Sequence, residues 1–347
     1  MAPRGKSERV TIRTVAEDAG VSVAAVSKVL RDAYGVSEGL RAKVQATMQK
    51  LGYRPHAAAR GMRGQTYTLG FVIPDLRNPF FADILDGITE QLGGTDYQVL
   101  MAACCNDEPG EARITEAMID RSMDGVILIA PISSRRHLQK VARTVPTVVI
   151  GRHGHSPDYD TVTDDDFAGA GLVVDHLVAL GHQRIAHIEH AERDPVRLRE
   201  MPNAQRADGY LHAMRAHGLS DYIDIASTTY TQRGGYLGAQ QLLARPTRPT
   251  AIFAGADIVA MGVLDALTEA GLSAPGDISL AGYDDTMFAA FGPISLTTVD
   301  QAGHQMGANA ARLLLERITD PAGSTAQVKL SPTLVTRRTT AALTGEG

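Results

Sequence analysis

The chain has 347 residues, 44% hydrophobic and 21% charged, which permits large buried cores and excludes bulk disorder. No run approaches the ~18 consecutive apolar residues that span a bilayer, and the only cysteines, Cys104 and Cys105, are adjacent, which fits neither a disulfide framework nor a metal-ligand spacing. The net charge of -5 hides a basic head: residues 1–64 carry twelve Lys and Arg against five acids, +7, and the remainder carries 22 against 34, or -12.

That asymmetry points to a polyanion partner for the head alone; a basic surface without a partner is the plainer reading. The opening MAPRGKSERV has no apolar core after its charges and does not read as a signal peptide, so a cytoplasmic protein with no membrane partner is expected.

In the head, Thr11 is placed to N-cap a helix from Ile12 to about Ala19, and Gly20 to stop it. Ser22 caps a second helix over Val23–Leu30. Val15, Ala16 and Ala19 fall on one face of the first helix, and Val26, Val29 and Leu30 on one face of the second. This is helix-turn-helix spacing. Ser37 caps a third helix with apolar positions Leu40, Val44, Met48 and Leu51. A three-helix bundle with no nucleic-acid role is the alternative.

In a helix-turn-helix, Val23, Ala24, Ala25, Ser27 and Lys28 face the major groove, where small apolar groups meet thymine methyls and Lys28 reaches guanine or a phosphate. Arg31 and Arg54 read as phosphate contacts, and Thr11 and Ser22 join the DNA-facing set. The segment His56–Gly64 favours a short helix that is marginal alone. Met62 is then an apolar wedge for a minor-groove step, with Ala59, Arg60 and Arg63 beside it; an ordinary linker is the alternative.

From Thr68 short apolar runs alternate with helical stretches. Strands are expected at Leu69–Ile73, Gln98–Ala102, Gly125–Ile129, Thr147–Ile150, Arg184–Ile188, Ala251–Ala254 and Ser279–Gly282. Helices are expected at Phe81–Leu92, Glu111–Ser122, Ala168–Leu180, Gln205–Ala216, Gly234–Leu243 and Ile258–Ala270. The pattern predicts α/β structure with parallel sheets, in two doubly wound lobes, with ligand outside the carboxyl ends of the strands. The lobe crossover is expected near Asp164–Asp166 and a return near Leu296–Asp300.

The run VTIRTVAEDAGVSVAAVSKVLRD, with VSEGLRAKVQATMQKLGYRPHAAARGMR after it, resembles the headpiece and hinge of the lac repressor (LacI/GalR) family. LGFVIPDLRNPFF, VDHLVALGHQRIAHI, QRADGY and GDISLAGYDD followed by LTTVDQ continue the resemblance through the core and are similar also to periplasmic sugar-binding proteins. Met62 stands where the family usually has leucine.

The resemblance implies a small all-α helix-turn-helix headpiece at 1–55 and a hinge helix and linker at 56–66. After them comes a two-lobed α/β periplasmic-binding-protein-like core with parallel sheets at 67–347. Lobe 1 is expected at about 67–163 and 297–325, and lobe 2 at about 167–295 and 326–343.

The resemblance also implies ligand positions. Asp75 and Asn78 hydrogen-bond hydroxyls, Phe80 and Phe81 form an apolar wall, and Arg206 gives a bidentate pair to hydroxyls or a carboxyl. Tyr230 stacks on a ring, Asp284 accepts hydrogen bonds, and Asp257 and Gln301 complete the set. Each has a plainer reading: Asn78-Pro79 as a turn, the phenylalanines as core, Asp284 as a cap. Ala256 stands where many sugar-responsive members have asparagine. A sugar or sugar derivative is the first expected effector, and a nucleobase or nucleoside the second.

No nucleophile–base constellation, Walker A or complete GxGxxG is present, so neither an enzyme nor a bound cofactor is expected. His153, His155, His187 and His190 lack evident partners and read as surface or loop residues, leaving no metal site. His182 reads as structural, and Cys104-Cys105 as packing at a strand end. The C-terminal stretch has no leucine heptad of the kind the lac repressor uses for its four-chain assembly, so a homodimer on a palindromic operator is expected. Together these features predict a transcriptional repressor under small-molecule control. The alternatives are a solute-binding protein or an enzyme of similar fold; whether ligand releases or promotes DNA binding stays open.

Overall fold

The computed structural model describes residues 10–30, 34–53, 65–104, 107–191 and 199–343. The chain divides into two compact units, Met1–Thr66 and Tyr67–Gly347. The predicted Arg31, Arg54, Ala59, Met62 and Arg63 lie outside the described residues, as does Cys105.

The first unit contains α1 (Ile12–Asp18), α2 (Val23–Leu30) and α3 (Glu38–Leu51). Thr11 caps α1 in a reciprocal box with Thr14, and the Ser22 Oγ accepts from the Ala25 N–H at 3.0 Å at the start of α2. Gly20, at φ 60°, makes the turn between them, a conformation that costs glycine least. Val15, Ala16, Val26, Val29 and Val44 form the buried core, with Leu40, Met48 and Leu51 packed on it.

The second unit is the α/β core. Its first lobe is a six-stranded parallel sheet in the order β11-β5-β4-β3-β1-β2. The strands are β1 (Thr68–Ile73), β2 (Gln98–Ala103), β3 (Gly125–Ile129), β4 (Thr147–Ile150), β5 (Asp160–Asp164) and β11 (Gln327–Leu330). Around it lie α4 (Phe80–Gln91), α5 (Glu108–Asp120), α6 (Arg135–Ala142) and α12 (Gly303–Thr319). The second lobe is a four-stranded parallel sheet, β7-β6-β8-β9. Its strands are β6 (Ile185–His190), β7 (Asp224–Thr228), β8 (Ala251–Ala254) and β9 (Ser279–Ala281). With them go α7 (Asp166–Ala179), α8 (Pro202–Ala216), α9 (Gln232–Leu243), α10 (Asp257–Glu269) and the single turn α11 (Met287–Ala290).

Between the lobes, β10 (Thr298–Asp300) pairs antiparallel with β12 (Thr333–Val335). The chain passes from lobe to lobe at β5–α7, at β10–α12 and at β11–β12. The second lobe was expected to resume at 326, but Gln327–Leu330 pairs in register with Thr161–Asp164 and belongs to the first. Only afterwards does the chain return, where the Leu280 N–H donates to the Thr339 carbonyl and the Leu343 N–H to that of Leu180.

Strand β5 and helix α12 are among the elements that the sequence pattern did not predict. Strand β5 reads DTVTD yet is wholly buried. Its Asp160 carboxylate accepts from Arg317 Nε and Nη2 at 2.6 and 2.9 Å, which satisfies the charge and ties the strand to α12. Helix α12 crosses α4 so closely that a Cβ on Gly307 would stand 1.9 Å from the Ile84 carbonyl oxygen, so only glycine fits.

The histidines divide. His187, expected at the surface or in a loop, is fully buried in β6 because its ring stacks on Phe253 at 4.5 Å and Nδ1 lies 3.0 Å from the Phe253 carbonyl. Burial pushes its pKa down to about 4, so it packs as a neutral aromatic. His182 is buried between Thr250, Ser279 and the Ala341 carbonyl, a structural brace for the C-terminal strap. Cys104 is buried just past β2.

Candidate functional site

The carboxyl ends of both sheets face one cleft between the lobes, and a polar network fills it. At its centre is Arg206, on α8 and 4% exposed. Its Nε donates to Asp166 Oδ1 at 2.7 Å, its Nη1 to the Gly255 carbonyl at 2.7 Å and its Nη2 to Gln301 Oε1 at 3.4 Å. Burial works against the charge, but Asp166, Tyr283 and Asp284 outweigh it and hold the guanidinium proton well above its ordinary range. Asp166, in the first turn of α7, is fully buried; burial raises its pKa, yet Arg206 and His153 bring it below the ordinary value. His153 comes from the first lobe and places Nε2 2.6 Å from Asp166 Oδ2.

Asp284 follows β9 in a contorted loop: φ is 123° at Asp284 and 50° at Asp285, values that non-glycine residues seldom adopt. The loop is braced from behind by Asp257. Asp257 Oδ2 accepts from the Thr286 N–H at 2.8 Å and from its hydroxyl at 3.0 Å, and Oδ1 accepts from the Thr298 hydroxyl at 2.6 Å. Asp284 Oδ1 accepts from Gln301 Nε2 at 2.6 Å and lies 3.7 Å from Arg206 Nη1. Its Oδ2 is buried with no hydrogen-bond partner of ordinary geometry among the described residues. Burial drives the Asp284 pKa well up, while Arg206 and the Asn78 amide pull it back.

A second buried polar atom without a partner among the described residues is the Tyr230 hydroxyl. Tyr230 stands edge-on to His190 at 5.5 Å, with its backbone N–H on His190 Nδ1 at 3.1 Å. Gly255 makes room for it, since a Cβ there would sit 1.9 Å from the Tyr230 oxygen. An acceptor and a hydroxyl thus lie close to one guanidinium, the donor and acceptor mixture that hydroxyl groups satisfy.

The structure therefore brings Asn78, Arg206, Tyr230, Asp284 and Gln301 together. It leaves Asp75 apart: both its oxygens bond Arg77, which lowers its pKa. Phe80 packs into the first lobe's core, its ring closing over Gly303, and Phe81 is half-buried beside that core. Asp257 acts on the loop with both oxygens engaged, not on the cleft. Sequence reasoning missed His153, Asp166 and Tyr283. The Tyr283 ring lies under the Arg206 guanidinium, and its hydroxyl donates to Asp164 Oδ2 at 2.6 Å. The only signal was the triplet Asp164–Asp166, which marks the crossing.

In the first unit, Thr11, Ser22, Val23, Ala24 and Lys28 are exposed, and Ala25 and Ser27 are half-buried along α2. Val23 is 41% exposed, although β-branched apolar residues usually bury. The amino-terminal turn of α2 offers small side chains to solvent and its last turn a cation, Lys28, while Val26 and Val29 hold the helix to the core.

A helix-turn-helix unit together with a two-lobed cleft defines a DNA-binding regulator with a ligand-binding core. The model of bacterial regulatory proteins of the lacI family matches residues 11–56, and that of the periplasmic binding protein-like domain matches residues 174–340. The ribose operon repressor of Escherichia coli (strain K12) is 34% identical over 94% of this chain and 98% of its own length. A LacI family transcriptional regulator from Enterococcus faecium, solved with bound ribose, is 30% identical with a TM-score of 0.70, over 80% of this chain and 100% of that one. The lac repressor dimer bound to operator and the anti-inducer ONPF is 27% identical with a TM-score of 0.80, over 96% of this chain and 100% of that one. The protein belongs to the lacI family of bacterial regulatory proteins. It is a DNA-binding transcriptional repressor controlled by a small-molecule effector. These relatives are repressors rather than enzymes, and among the described residues no helix is long and apolar enough to cross a membrane.

Proposed function

We propose that the effector is a small uncharged sugar, D-ribose first, held between the lobes by Asn78, Arg206, Tyr230, Asp284 and Gln301. The observation that carries this reading is the pair of buried polar atoms beside Arg206, Asp284 Oδ2 and the Tyr230 hydroxyl, without a hydrogen-bond partner of ordinary geometry among the described residues. A buried polar group is costly unless something bonds it, and sugar hydroxyls both donate and accept. The ribose named for two relatives supports the same choice.

The DNA is read by Val23, Ala24, Ala25, Ser27 and Lys28 along α2, with Thr11, Ser22, Arg31 and Arg54 on phosphates. Met62 with Ala59 and Arg63 forms the minor-groove element. The working form is a cytoplasmic homodimer on a palindromic operator, and the lac repressor dimer on its operator supports this. Neither catalysis nor a cofactor has a part in it.

The test is to select operators from random duplexes with purified full-length protein, then titrate D-ribose, other pentoses and hexoses, and purines at fixed salt. A palindromic winner released or tightened by a sugar supports the reading and gives its sign. A response to a purine with none to sugars would overturn the effector class.

A further inference from the structure

Glu200 lies in the turn before α8, on the second lobe. Its carboxylate leaves that lobe and joins two arginines of the first. Oε1 accepts from Arg135 Nη2 at 2.5 Å, and Oε2 from Arg152 Nε at 2.9 Å. Its backbone carbonyl accepts from the His153 N–H at 2.7 Å. Arg152 is buried, and its Nη1 donates to the carbonyls of Ser133 and Pro131 at 2.6 and 3.2 Å. Glu200 touches none of Arg206, Tyr230, Asp284 or Gln301, so the network of the cleft does not account for it.

We propose that Glu200 is a closing residue, a clasp between the lobes that sets how long an effector stays bound; this rests on the assignment of the cleft as the effector site. Among the described residues, Glu200 is the carboxylate that answers the buried Arg152 cation. If the lobes part, Arg152 keeps its carbonyl partners but loses that counter-ion, a loss that favours the closed arrangement. The clasp also reaches the site. His153 is bonded to Glu200 through its backbone and lies against Asp166 through its ring, and Asp166 holds Arg206. Closing therefore seats the guanidinium in the same movement that covers the ligand. Glu200 is 25% exposed and Arg135 44%, so the Arg135 arm weakens with added salt and the Arg152 arm less so.

The experiment uses the full-length chain with Glu200→Gln, which keeps shape and removes charge. Without ligand, hydrogen exchange in the segment 150–156 rises about tenfold in the variant, while exchange in β3 stays unchanged. With D-ribose, dissociation is faster by about tenfold and association stays within about twofold. Arg135→Gln moves dissociation the same way, and adding it to Glu200→Gln brings little further change, because both act on one contact. Unchanged exchange in 150–156, or unchanged sugar release beside faster exchange, would overturn the clasp. A wild-type chain that does not bind D-ribose refutes the sugar reading alone and leaves the exchange measurement to decide the clasp.

Discussion

The Arg206 guanidinium carbon lies 3.8 Å from the centroid of the Tyr283 ring, whose hydroxyl donates to Asp164 at 2.6 Å. A cation is thus fixed between an aromatic face below and a carboxylate at its edge, and the phenol ties that arrangement to the end of β5. Arg206 has little freedom left to search for a ligand; it is presented ready-made.

Replacing Arg206 therefore has two consequences. Arg206→Ala abolishes the response to effector and leaves Asp166 as a fully buried carboxylate without its guanidinium, a loss of about 3–5 kcal/mol. Urea unfolding beside effector calorimetry reads both. Adding Asp166→Asn returns much of the stability and none of the response. A variant of unchanged stability would contradict the ion-pair account.

Asp257 makes stability pH-dependent in a direction opposite to most carboxylates. Burial, partly offset by Thr298 and Thr286, raises its pKa to about 7. The unfolded chain releases that proton near pH ~3.9, so the folded state binds more protons between the two values and stability falls as pH rises through that window. Asp257→Asn removes this contribution. The stability of the wild type relative to the variant should be greatest near pH ~4 and decline toward pH ~7. Parallel curves would exclude Asp257 as the titrating group.

Lys28 is exposed on α2, beside the small residues of its first turns. Lys28→Ala weakens binding to the selected operator by about 1–3 kcal/mol and relaxes preference at one base position. Equal losses on operator and unrelated duplex, with the salt slope smaller by about 1, identify a phosphate contact instead.

Gly307→Ala drives a methyl into the Ile84 backbone, where the gap is 1.9 Å. The helices α4 and α12 must separate, at about 1–3 kcal/mol or more. Thermal unfolding checks it, and DNA binding by the first unit should persist at temperatures where the variant core is still folded.

Much of the core was legible because its strands are apolar runs between helical stretches: β1, β3, β4 and β8 lie where the pattern puts them. Strand β5 was not. Its buried aspartates are partnered by Arg317, an opposite charge for Asp160, and by the Tyr283 hydroxyl, a donor to Asp164, both more than a hundred residues away, and no local window contains those partners. The same holds for His153, whose loop reads as polar surface until Asp166 is placed beside it. Conversely, Asp75 looked like a ligand residue by position, but Arg77 two places on takes both its oxygens. Arg206 and Asp284 were visible through their motifs, while the brace that Asp257 supplies to the Asp284 loop needed coordinates.

The three passages between lobes bear on how the protein is made. The first sheet gains its edge strand from Gln327–Leu330, and β9 of the second is paired by the strap around Thr339. During synthesis both lobes wait for these late residues, whereas Ile12–Leu51 holds the three helices of the DNA-reading unit found among the described residues. A nascent repressor thus has its DNA-reading helices before it has a cleft for an effector. A chain stalled near residue 300 would carry those helices but no finished cleft to answer the signal that controls the whole molecule.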